Sequence, residues 1–101
     1  MAILHQEDAM PRYVIERNLP PGLSDADIDA AARRAVAVNS TLPGVRWIHS
    51  NLAIDRSKFF CEYEAPSEEA IRDAARLAEI PCDVVTEVRE VHPDVYTIAG
   101  W

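Results

Sequence analysis

Val45-Arg46-Trp47-Ile48-His49-Ser50-Asn51-Leu52-Ala53-Ile54, followed across Asp55-Arg56-Ser57-Lys58 by Phe59-Phe60-Cys61-Glu62-Tyr63-Glu64-Ala65, is the stretch that decides the fold. Both runs are rich in β-branched and aromatic residues, and the polar connection has hairpin length, so they predict two antiparallel strands. On either side the chemistry changes to that of helix ends. Upstream, Ser24 caps a helix expected over about 24–40. Asp27 stands at the third helical position of a capping box, Leu23 and Ile28 are set as a hydrophobic staple, and Pro43-Gly44 closes the segment. Ile28, Ala31, Ala32, Ala35, Val36 and Val38 supply its apolar stripe. Downstream, Pro66-Ser67-Glu68-Glu69 opens a second helix with Ser67 as cap, striped by Ile71, Ala74, Ala75 and Ala78 and stopped by Pro81. Residues 12–18, Arg-Tyr-Val-Ile-Glu-Arg-Asn, make a first strand ended by Pro20-Pro21-Gly22, and Cys82 to Val91 a fourth.

The order is therefore βαββαβ. In so short a chain it predicts an α+β, ferredoxin-like fold, a four-stranded antiparallel sheet with both helices on one face. The right-handed crossover rule leaves few other topologies. The domain is expected to span 10–96, with 1–9 a disordered extension containing His5 and 97–101 a C-terminal tail.

Composition bounds the rest. Ten Lys+Arg against 17 Asp+Glu give a net charge of −7 in 101 residues, and 49% hydrophobic residues suffice for one core. The cationic residues are interleaved with acids, so binding to nucleic acid or an anionic membrane has the wrong electrostatic sign. No apolar run approaches the roughly 20 residues of a spanning helix, and the amino terminus lacks a secretory pattern, so a cytoplasmic protein is expected. Much of the acidity, Asp25, Asp27, Asp29, Glu68 and Glu69, belongs to helix starts, where it stabilises the helix and needs no cation to explain it. Cys61 and Cys82 would sit about two strand spacings apart, roughly 10 Å, beyond disulfide reach, and are read as free thiols.

Two helices cover one sheet face and leave the other open. Strict alternation puts Trp47, His49 and Asn51 on one side of their strand and Ile48, Ser50 and Leu52 on the other; Phe59, Cys61 and Tyr63 oppose Phe60, Glu62 and Glu64. Neither side is cleanly polar, so a homodimer with two sheets facing each other across a partly polar cavity is expected. His49 is the only histidine outside the terminal segments and the imidazole best suited to proton transfer or to nickel, copper or zinc. Glu16 and Cys61 are the further candidate metal ligands, Arg17 and Tyr63 the further candidate catalytic residues. His92-Pro93-Asp94 reads as a surface turn.

Several strings resemble a known family. Met10 to Arg17, Val45 to Ser50, Lys58 to Arg72 and Glu87-Val88 are similar to the small bacterial nickel-binding ferredoxin-like family, formerly a domain of unknown function. The Trp-x-His-Ser strand followed by Phe-Cys-x-Tyr-x-Ala-Pro-Ser is the specific part. The resemblance implies a ferredoxin-like fold, a homodimer with a central cavity, nickel binding in at least one member, and Met10 as the usual start. Two departures stand out: family members commonly carry a histidine where this chain has Ala74, and a glycine where it has Glu79. Asn51 also replaces a common tyrosine.

Three functions follow as expectations. The first is a metal-binding homodimer using His49, Glu16 and Cys61, with nickel as the metal. The second is a metal-independent small enzyme of monooxygenase, isomerase or cyclase type, or a small-molecule carrier, with His49 as acid or base, Arg17 as an anion clamp and Tyr63 or Trp47 in the cavity wall. The third is a structural or regulatory dimer without a site.

Overall fold

The computed structural model describes residues 10–96; the extension 1–9 and the tail 97–101 lie outside the described residues. Strand β1 (Arg12–Asn18) is followed by helix α1 (Asp25–Asn39), the hairpin strands β2 (Arg46–Leu52) and β3 (Lys58–Glu64), helix α2 (Glu68–Ala78), strand β4 (Val84–Val88) and a short 3₁₀ turn (Pro93–Tyr96). The sheet order is β2-β3-β1-β4, and every pairing is antiparallel. This is the expected ferredoxin-like βαββαβ arrangement.

The helix ends form as their residues dictate. Ser24 Oγ accepts from the Asp27 amide while Asp27 Oδ2 accepts from the Ser24 amide, closing the capping box. Ser67 Oγ accepts from the amide of Ala70 in the same way. At the other end of α2, Glu79 adopts the left-handed conformation (φ 58°), its amide reaching the carbonyls of Ala75 and Arg76. A side chain stands there where glycine would fit with less strain. Gly44, at φ 77°, holds the conformation that favours glycine, and a Cβ there would also press on Pro66 Cγ at 3.3 Å.

One side of the sheet packs on the helices. Tyr13 and Ile15 of β1, Cys61 and Tyr63 of β3, and Ile71 and Ala74 of α2 form the buried core, with Val38, Leu42, Trp47, Phe59 and Val85 packed against it. Arg34 of α1 ties the helices together by donating to the carbonyl of Ala78 at 2.9 Å. Val36, expected on the apolar stripe of α1, is instead exposed. Ala35 is the buried residue of that helix, and one step along it turns the next side chain by about 100°.

The strict alternation expected for β2 does not hold. Trp47 pairs with Tyr63 and His49 with Glu62, so Ile48 is an extra residue in a β-bulge. The bulge puts Trp47 on the helix side with Ser50 and Leu52, and His49 on the open side with Asn51. Trp47 Nε1 accordingly donates to Ser50 Oγ at 2.8 Å, and its ring stacks on Tyr63 at 6.4 Å.

Candidate functional site

The five candidate residues divide between the two sides of the sheet. In β1 the alternation is regular, so Tyr13, Ile15 and Arg17 are buried toward the helices while Arg12, Val14, Glu16 and Asn18 face the open side. The register carries this across to β3: Ile15 opposes Cys61 and Arg17 opposes Phe59 on the covered side, and Val14 opposes Glu62 and Glu16 opposes Phe60 on the open side.

Arg17, Cys61 and Tyr63 meet on the covered side. Arg17 is 5% exposed, although a strand-end charge is commonly solvated. Its Nε–H donates to Cys61 Sγ at 3.3 Å, its Nη1 donates to the Pro81 carbonyl at 2.6 Å, and its guanidinium lies 5.7 Å from the centre of the Tyr63 ring. Tyr63 is thus held between Trp47 and Arg17, and its hydroxyl accepts from Asn39 at 3.1 Å. Burial pushes the Tyr63 hydroxyl above its ordinary pKa, against the lowering effects of Asn39 and Arg17. Burial likewise raises the thiol of Cys82, with Arg17 and Arg72 opposing. Both cysteines are free, Cys61 buried and Cys82 half-buried. The cluster explains how a buried cation is tolerated: a carbonyl, a sulfur and a π face take the place of water.

His49 and Glu16 lie on the open side. His49 Nε2 is 3.5 Å from Glu62 Oε1. The other oxygen of Glu62 accepts from Arg12 Nη1 at 3.1 Å, and Arg12 also pairs with Glu64 at 3.4 Å and Glu90 at 3.0 Å. Arg46 pairs with Glu64 at 3.1 Å, and Glu16 is held by Lys58 at 3.2 Å. Burial pulls the Arg12 guanidinium pKa down, but its carboxylate neighbours outweigh that and hold it above its ordinary value. Glu64 is held below the usual carboxylate range by the hydrogen bond from Arg46, against burial and with help from Arg12.

The structure therefore brings His49 to Glu62, which the sequence reading did not single out, and separates both from Cys61, Arg17 and Tyr63 by the thickness of the sheet. Glu62 had no motif to mark it. It is found only through the His49↔Glu62 register, which the bulge sets. Ala74, where the resembled family carries histidine, is in the covered core, so its identity neither adds nor removes a donor on the open side. Among the described residues, no group of three or more His, Cys, Asp or Glu side chains gathers closely enough to hold a metal ion within one chain. His92 and Asp94 pair with each other at 3.3 Å in an exposed turn. No helix among the described residues is long and apolar enough to cross a membrane.

These features define a small ferredoxin-like α+β domain whose open sheet face carries a histidine-carboxylate-arginine chain among apolar residues. The chain belongs to the SCO4226-like family of nickel responsive proteins, whose model matches residues 13–88. SCO4226 from Streptomyces coelicolor A3(2), known from its crystal structure, superposes with a TM-score of 0.71 at 18% identity, covering 80% of this chain and 99% of that one. A protein from Chloroflexus aurantiacus J-10-fl, assigned as an antibiotic biosynthesis monooxygenase, superposes with a TM-score of 0.52 at 18% identity over 83% of this chain and 95% of that one. At such identities the likeness is one of fold. No curated protein sequence matches the chain.

Proposed function

We propose that this chain works as a homodimer that binds nickel on its open sheet face, with His49 and Glu62 of each copy as the donors. The observation that carries this reading is the geometry of Glu62. One oxygen is fixed by Arg12 and the other lies 3.5 Å from His49 Nε2, a carboxylate held beside an exposed imidazole. Orientation of a ligand by an outer hydrogen bond is the usual support of a metal site. One chain offers two such donors, and a stable site needs about three or four. A second copy facing the first supplies the remainder.

The composition of the face favours a second copy. Val14, Phe60, Val84 and Val88 lie on it, and the strand charges balance: Arg12, Arg46 and Lys58 against Glu16, Glu62 and Glu64. Although the chain carries −7 overall, two of these faces meet without net repulsion. Family membership supports nickel as the metal, and the oxygen-nitrogen donor set suits a first-row divalent ion.

The test is sedimentation equilibrium beside nickel calorimetry on protein purified without an affinity tag. A dimer mass is expected, with nickel binding weakened by about 10–100-fold in Glu62→Gln and abolished in His49→Ala. No heat of nickel binding to the unaltered protein would sink the metal reading. A second reading, a metal-independent enzyme of monooxygenase, isomerase or cyclase type or a small-molecule carrier, draws on the same face, which His49 shares with Val14 and Phe60. An organic molecule retained in the native mass spectrum, with no bound metal, would favour it.

A further inference from the structure

The chain leaves β4 at the edge of the sheet, and its next residues are held at the rim of the open face. Glu90 reaches back to Arg12, whose guanidinium also holds Glu62 and Glu64 on that face. Beyond this anchor the arm is locally organised. The amide of Val95 donates to the carbonyl of His92, the amide of Asp94 donates to His92 Nδ1, and Pro93–Tyr96 forms a single 3₁₀ turn. Its apolar side chains nonetheless stand in water: Val91, Val95 and Tyr96 are 60%, 65% and 51% exposed. The open face beside the anchor has the same defect, with Phe60 38% and Val84 44% exposed.

One molecule thus carries two exposed apolar surfaces, an arm and a sheet face, joined at a root fixed by the Glu90–Arg12 pair. Solvating both is costly, because apolar surface is driven from water. We propose that residues 91–96 of each copy lie across the open sheet face of a second copy, so that the dimer is held by exchanged arms as well as by facing sheets. This rests on the dimer reading above. In a two-fold pairing of the balanced open faces each arm covers apolar side chains, Val84 and Phe60 among them, that the other copy leaves bare. The arm and its root add Arg89, Glu90 and Asp94, mixed in sign and only −1 in sum, so they shift the charge balance of the face little.

The experiment compares the full chain with a Val91→Asp, Val95→Asp, Tyr96→Asp triple variant by sedimentation equilibrium. A Val84→Cys, Val95→Cys variant, mildly oxidised after mixing mass-labelled and unlabelled protein, then reports which chains are joined. About tenfold or more weaker dimerisation is expected for the triple variant, with an unchanged circular dichroism spectrum, together with mixed-mass cross-linked dimers. An unaltered protein that is itself monomeric removes the dimer reading and this inference together. A dimer whose affinity the triple variant leaves unchanged, or cross-links formed only within one chain, overturns the exchanged arm and leaves the dimer standing.

Discussion

The two sides of this sheet handle charge in opposite ways. On the covered side a single cation, Arg17, is buried and satisfied by neutral groups, the Cys61 sulfur, the Pro81 carbonyl and the Tyr63 ring. On the open side six strand charges pair with each other, and the one imidazole among them is left with a carboxylate and solvent. The first arrangement fixes the packing of a core, since removing a member leaves a desolvated group unpaired. The second is cheap to rearrange, and this makes it the better place for a reversible ligand.

That contrast can be broken from its strongest point downward. Ile15→Ala empties a fully buried position on the covered side and should cost about 3 kcal/mol in urea or guanidinium unfolding. A loss under about 1 kcal/mol would mean that the helix side is not the cohesive one. Arg17→Met keeps most of the volume but strands the Pro81 carbonyl and removes the stack on Tyr63. About 2 kcal/mol of destabilisation is expected, with nickel binding untouched. Were Arg17→Met to weaken nickel binding while leaving stability alone, the assignment of the two sides would have to be reversed.

The open side should respond more weakly, and first to acid. Glu64 is depressed in the folded state below its ordinary 4.5, so its contribution is complete above that value and is lost as pH falls through the folded value. Stability should therefore begin to decline below about pH 4.5, and Arg46→Gln should flatten that part of the profile by roughly 0.5 kcal/mol. An Arg46→Gln profile that overlays the parent through this window would remove the pairing from the account. Smallest of all, His49→Ala should shift stability by no more than about 0.5 kcal/mol. A melting temperature that falls well beyond that would make His49 a structural residue and leave the nickel site without its imidazole.

Much of the fold was legible because its signals are local. The capping box at Ser24, the cap at Ser67, the stop at Pro81 and the pairing of the two hairpin runs each depend on residues a few positions apart, and each formed, though with a bulge in the first run. The awkward end of α2 was marked by the resemblance alone, Glu79 standing where the family carries a glycine and taking the left-handed conformation that suits one. The candidate site was legible only in part. His49 stood out as the lone histidine in a strand, but its companion Glu62 carries no local mark, and Cys61, Arg17 and Tyr63 fell on the opposite side from it.

The sequence by itself determined the order of elements, the helix ends and the supply of apolar and charged side chains, because these follow from backbone preference and short-range hydrogen bonding. Only the tertiary structure decided which side chains share a face. One extra residue at Ile48 shifts the pairing of β2 on β3, and because side chains alternate with a period of two, that shift parts Trp47 from His49. The same long-range packing took Arg17 from a strand end into the core and closed on it with Pro81, 64 positions away in the chain.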